Sequence, residues 1–266
     1  MTYPNQPDKG TVLHWRDGAV AHIRFNRPQA LNAIDVEMAG AFYKACEQIA
    51  ADALVRAVWI TAVGRVFMAG GDIPAMQSDP VKVSEELITG MHGALRLLAG
   101  IDAPVVASVQ GAVAGGGLGL VLGGADIVVA AEGTKFSVAY PLIGASCDCS
   151  TSWALPRIVG LHKALELTLL GDNLDATQAL ALGLCNRVVP LEELEPVSAA
   201  LVSRLAAGPT RALGRLRRLV RASVDTSFDA QLDAEAEGFR ACAMTADFKE
   251  GVNAFLSKRR ANFQGN

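Results

Sequence analysis

The stretch "PVVASVQGAVAGGGLGL" (104–120) constrains the fold more than any other. It begins with a short apolar run rich in valine, the pattern of a buried strand. Three consecutive glycines, Gly115 to Gly117, then open a second apolar run. Glycines at the start of a helix let the backbone approach a neighbour closely. The N–H groups of that first turn also sit at the positive end of the helix dipole. Taken alone, the run fits two roles: close helix–sheet packing, or donors aimed at a bound oxygen.

Strand and helix signals alternate on both sides of it. "TVLHW" (11–15) and "VAHIRF" (20–25) read as strands joined at Asp17-Gly18, a hairpin turn signal. Asp35 is placed to cap a helix carrying Val36, Ala39, Tyr43, Cys46 and Ala50 at helical spacing. "VRAVWIT" (55–61) and "DIVVAA" (126–131) are further strands, and a helix is expected over 84–99 with Ile88, Leu95 and Ala99 on one face. The last strand signal is "RVVP" (187–190), and from Leu191 the pattern is helical. The expected architecture is an α/β core over 1–195 followed by a helical region over 196–266.

Composition narrows the function. A chain of 266 residues that is 51% hydrophobic buries a large core. A net charge of -3 does not favour nucleic acid as a partner. The opening "MTYPNQPDKG" is polar, and glycines and Asp126 interrupt the apolar stretch 112–131, so neither a signal peptide nor a membrane span is expected. Five cysteines without framework spacing fit a reduced, cytoplasmic protein. Cys147 and Cys149 have no second pair beside them, so no metal is expected.

A second glycine site lies in "FMAGGDI" (67–73). Two separate backbone N–H groups converging on one oxygen make an oxyanion hole. Together with "FNRPQALNA" (25–33), "ADIVVAAEGTKFSVAY", "LPRIVG", "LGLCNRVVP" and "EGVNAFLSKRRANF", these segments resemble in order and spacing the crotonase superfamily, also called enoyl-CoA hydratase/isomerase. The resemblance runs from about residue 11 to 263. It implies an α/β spiral of ββα units with a helical C-terminal region for trimer assembly. It implies a coenzyme A thioester as substrate, with no tightly bound cofactor, and a homotrimer or dimer of trimers. The N–H groups of Gly71 and Gly116 would hold the thioester oxygen and stabilise an enolate. Coenzyme A would run along Ala30, Leu31, Ala69 and Ile73, with Asp72 in the same loop, and Phe255 and Lys258 would reach a neighbouring subunit's ligand.

The chain departs from this family at the carboxylates. Hydratases carry glutamates where this sequence has Gly119 and Tyr140. Asp148, within "GASCDCSTSW" (144–153), matches the position of an acidic residue in the dienoyl-CoA isomerases and in 4-chlorobenzoyl-CoA dehalogenases. The dehalogenase pattern also places a histidine twelve residues before the strand proline, as His92 stands before Pro104. The resemblance thus names Asp148 as nucleophile or proton carrier, His92 as its partner base and Tyr140 as a neighbour of the carboxylate. Other readings stay open. Asp148 also suits a helix cap near Ser150, His92 a core position, and the arginines at 211–221 either a solvated helix face or an RNA-binding surface. A catalytically inactive scaffold would also lack the glutamates.

Overall fold

The computed structural model describes residues 6–77 and 79–266; residues 1–5, half of the polar opening segment, and Ser78 lie outside the described residues. Strands β1 (Val12–Asp17) and β2 (Val20–Phe25) form an antiparallel hairpin. Its two-residue loop begins at Gly18, whose φ of 55° is open to glycine at no steric cost. From β2 the sheet continues in parallel through β3 (Ala57–Ala62), β4 (Val105–Val109), β6 (Ile127–Ala131) and β9 (Arg187–Val189). A parallel sheet needs crossovers, and its central strands must be covered on both faces. This explains why β3 and β4 read as continuous apolar runs.

On one face lie α1 (Val36–Ala51) and, after the one-turn α2 (Ile73–Met76), α3 (Pro80–Gly100). The Asp35 carboxylate accepts the Met38 N–H, so the expected cap is present. The buried face of α1 is Met38, Phe42, Ala45 and Ile49 with Ala39 and Cys46, whereas Val36 and Ala50 are exposed. In α3 the buried residues are Leu87, Met91, Ala94 and Leu98, one position before the expected Ile88–Leu95–Ala99 face. The reason lies in the contact between the two helices. A Cβ on Gly90 would stand 2.9 Å from the Ala39 backbone, and one on Gly93 would stand 2.7 Å from the Tyr43 ring. The helices meet through glycine, which leaves no hydrophobic signal.

The other face is covered by α8 (Leu191–Ala206), whose Leu194, Leu201 and Val202 pack with Trp59, Val106 and Val129. The boundary expected at residue 195 falls inside this helix, which belongs with the core. Across that face Trp15 stacks on His22 with ring centroids 4.5 Å apart, and Trp59 Nε1 donates to Ser108 Oγ at 2.6 Å.

Between β4 and β6 the chain forms β5 (Ala112–Ala114), then α4 (Gly116–Gly119), which widens into a π turn over Leu120–Gly124. β5 joins β7 (Lys135–Ser137) and β8 (Leu174–Asp175) in a small second sheet. A short 3-10 turn over Tyr140–Ile143 leads to α5 (Thr151–Val159), α6 (Leu161–Leu170) and α7 (Ala176–Leu182).

The chain ends in α9 (Thr210–Ala222), α10 (Phe228–Ala243) and α11 (Ala246–Leu256). Part of the arginine stripe is turned inward: Arg217 and Arg221 pair with Asp126 at 2.6 and 2.9 Å, and Arg218 pairs with Asp102 at 2.7 Å. The final residues fold back. The buried Asp247 carboxylate accepts the N–H groups of Gln264 and Gly265 at 2.6 and 2.7 Å, and Arg56 donates to the Phe263 carbonyl. Among the described residues no helix is long and apolar enough to cross a membrane.

Candidate active site

The two glycine segments lie against each other. A Cβ built on Gly70 would stand 3.5 Å from the Ala114 carbonyl oxygen, and one on Gly115 would stand 3.5 Å from Gly70 Cα. Gly70, at φ 104°, and Gly115, at φ 51°, both occupy backbone space that favours glycine. Ile34 bridges the first segment, donating to the Gly70 carbonyl and accepting from the Asp72 N–H. This pairing passes over Gly71. Gly116, at the N-terminus of α4, follows the second segment. Among the described residues no acceptor meets the N–H of Gly71 or of Gly116.

Both glycines line a cavity of ≈ 430 Å³. Its walls are mostly aliphatic or thioether side chains, among them Ile34, Met76, Leu87, Met91 and Leu142. Ser84 is also on this wall. Among the described lining residues Asp148 is the one carboxylate.

The Asp148 carboxylate has neighbours on two sides. The Tyr140 hydroxyl donates to its Oδ1. A Cβ on Gly116 would be 3.5 Å from the same oxygen, so the carboxylate stands beside the helix N-terminus. Burial, and then the charge of Asp148, push the Tyr140 phenol up, which keeps it a donor. Burial first and Asp148 second also push up the Cys147 and Cys149 thiols, so a second anion next to Asp148 is disfavoured. The helix-cap reading does not hold. The residue before α5 is Ser150, and it is the Asp148 backbone carbonyl, not its carboxylate, that accepts the Thr151 N–H at 3.0 Å.

The turn carrying Asp148 is strained and tightly seated. Cys149 and Ser150 have φ of 47° and 73°. Left-handed backbone at a residue other than glycine costs about 1–3 kcal/mol. Two glycines of the π-widened helix receive the turn. A Cβ on Gly119 would meet the Cys149 carbonyl oxygen and lie 2.6 Å from Thr151 Oγ1, and one on Gly123 would lie 2.7 Å from Ser150 Cβ. Ser150 Oγ donates to the Gly119 carbonyl at 3.0 Å, and His92 Nε2 accepts the Cys149 N–H at 3.1 Å.

This glycine-paired cavity sits in a chain whose residues 16–266 match the family model described as enoyl-CoA hydratase/isomerase. The chain belongs to the enoyl-CoA hydratase/isomerase family. It is 35% identical over 258 residues to the 1,2-epoxyphenylacetyl-CoA isomerase of Escherichia coli K12, covering 96% of this chain and 98% of that one. It is 32% identical to the trans-2-decenoyl-[acyl-carrier-protein] isomerase of Streptococcus mutans, with 96% and 98% covered. The solved structure of an enoyl-CoA hydratase/isomerase from Mycobacterium abscessus superposes with a TM-score of 0.91 at 33% identity, over 96% of this chain and all of that one. The crotonase fold expected from the sequence is therefore the fold of this family member.

Within that family, the two positions read as lost glutamates have structural explanations. Gly119 has no room for a side chain because the Asp148 turn occupies the space. Tyr140 turns its hydroxyl onto Asp148. Ala69 and Ile73 line the cavity with Gly71. Ala30 and Leu31 are not on the cavity wall, but Leu31 is joined to it, its carbonyl accepting the Ala69 N–H at 3.2 Å. Asp72 faces away from the cavity wall and forms an ion pair with Arg27 at 3.0 Å. His92 does not line the cavity; its Nε2 is directed at the Cys149 amide, behind the wall. Phe255 and Lys258 lie at the end of α11 and are absent from this wall, with Phe255 83% exposed. The sequence reading missed Arg27, which joins Asp35 and Asp72, and Gly123, whose four-residue spacing from Gly119 was the available signal.

Proposed function

We propose that this chain is an acyl-CoA isomerase that works by proton transfer through a single carboxylate. The thioester carbonyl oxygen would accept the N–H groups of Gly71 and Gly116, which lack other acceptors. These donors are fixed in advance and act where negative charge develops. A donor of this kind is typically worth ~10²–10³ in rate. Asp148 would remove a proton from carbon next to the carbonyl, giving an enolate, and return it to another carbon of the acyl chain. Tyr140 would hold the carboxylate in line and Ala30, Leu31, Ala69 and Ile73 would contact coenzyme A.

One observation carries this reading: Asp148 is the one carboxylate on the cavity wall among the described residues, and it stands beside Gly116 with the Tyr140 hydroxyl on its Oδ1. The names of two relatives as isomerases support it. A hydratase mechanism on two glutamates has no second carboxylate among the described lining residues, and the proton-transfer reading asks nothing of His92, whose Nε2 is engaged by the Cys149 amide.

The test uses a panel of acyl-CoA thioesters in D2O with mass spectrometry. Proton transfer at carbon exchanges hydrogen for deuterium and raises the mass of the recovered thioester. Asp148→Asn keeps the shape and removes the base. It should slow exchange and turnover by about 10² or more, while thioester affinity by calorimetry changes little. Wild-type exchange in Asp148→Asn would end the reading, and a wild type that binds thioesters without turning any over would point to a scaffold.

The same reading includes assembly. Leu216, Val220, Phe228, Phe239 and Met244 of the helical region are each more than half exposed, an apolar surface that suits burial between subunits. A trimer or dimer of trimers would bring Phe255 and Lys258 to a neighbour's ligand. A monomer by light scattering at micromolar concentration would count against it.

A further inference from the structure

We infer that His92 is a positioning residue, which fixes the Asp148 turn through the Cys149 amide and does not itself move the substrate's proton. The inference rests on the assignment of Asp148 as the base. A backbone N–H can only donate, so the His92 Nε2 that meets it at 3.1 Å must present its lone pair. The proton of the neutral ring is then on Nδ1. A base acting through Nε2 would need that lone pair for a proton, and here it is already engaged.

What the bond holds is plain from the turn. Asp148 faces the cavity, and the next two residues, Cys149 and Ser150, are left-handed. Such a turn relaxes unless its neighbours fix it. Gly119 and Gly123 leave room for it, Ser150 Oγ ties it to the Gly119 carbonyl, and the Tyr140 hydroxyl engages the Asp148 carboxylate. The Cys149 N–H has the His92 ring from α3 as its acceptor. Without that acceptor a buried donor is left unpaired, and the turn can recover it only by rotating. Rotation would move Asp148 away from Gly116, the place where the developing oxyanion is held.

The experiment compares His92→Gln with His92→Leu. The glutamine side-chain oxygen reaches about where Nε2 stands and accepts an N–H, but glutamine cannot carry a proton at neutral pH. A positioning role predicts that His92→Gln keeps kcat within about fivefold of wild type, whereas His92→Leu lowers kcat about 30-fold or more with KM little changed. Equal losses in the two variants would overturn the inference and make His92 a proton carrier. A second readout needs no substrate. The ¹⁵N spectrum of histidine-labelled wild type, with the His92 signals identified by their loss in His92→Gln, should report a proton on Nδ1 and none on Nε2. A proton on Nε2 would overturn the inference whatever the kinetics. Asp148→Asn measured alongside separates the two ideas: unchanged turnover there sinks the base assignment, while the ring's tautomer still decides what His92 does.

Discussion

Gly119 carries a hydrogen where any other residue would press a Cβ onto the Cys149 carbonyl. The neighbour is backbone, which cannot swing aside as a side-chain tip can. Gly119→Ala should therefore cost about 3 kcal/mol of stability by overpacking, read as a lowered urea midpoint, and should lower turnover further by displacing Asp148. A variant as stable and active as wild type would mean that the turn has more freedom than this packing allows. Tyr140→Phe tests the other side of the carboxylate. A hydrogen bond to a charged group is worth about 1.5–3 kcal/mol, so kcat should fall by about 10- to 100-fold with thioester affinity retained. An unchanged kcat would reduce Tyr140 to a wall residue. At this scale the glycine runs and a lone carboxylate among small residues, Asp148, are local signals that the sequence shows directly. Gly71, Gly116, Tyr140 and His92 were named only through the family resemblance, and the structure brings the first three to one cavity wall with Asp148. The contact of His92 was not legible. Only the folded turn shows that its ring meets the Cys149 amide.

Among the elements, the hairpin of β1 and β2 carries the clearest pH dependence. His22 lies stacked on Trp15, and burial lowers its pKa from 6.5 to about 4. Above 6.5 it is neutral in both folded and unfolded chains. As pH falls from 6.5 toward 4, the unfolded chain takes a proton that the folded chain refuses, so stability drops. Between pH 7 and 4.5 the loss should be on the order of 2 kcal/mol, measured as a shift in urea midpoint. His22→Phe should flatten that decline. A wild-type midpoint independent of pH over this window would contradict the burial of the ring. Glu250, lowered from 4.5 to about 2 by its hydrogen bond from Arg259, begins to give up its contribution near pH 4.5 and loses most of it below that, so it enters only at the lower edge of the comparison. The strands of the large sheet were legible within a residue or two, because a parallel sheet covered on both faces leaves unbroken apolar runs; the short strands β5, β7 and β8 of the second sheet were not. The faces of α1 and α3 were legible only to within one position. Their contact is made by Gly90 and Gly93, and a periodicity built from large apolar residues does not register glycine.

For the whole molecule, the last turn of chain closes the helical region onto the core. Asp247 binds two amides of the tail, and Arg56, just before β3, joins the Phe263 and Gly208 carbonyls. Asp247→Ala removes the acceptor of two part-buried amides and should cost about 1–2 kcal/mol. Limited proteolysis should then cut first within the C-terminal helices. Cleavage confined to the core would show that the tail is not the clasp. The seat at Gly119 reaches further, into how such a molecule can change by descent. A glutamate there, which the family resemblance leads one to expect of a hydratase, cannot enter while the Asp148 turn fills the space. The turn, in turn, cannot leave without moving the carboxylate proposed above as the base. A lineage that has taken this arrangement has no single step back: each substitution toward the other chemistry first passes through a protein with neither.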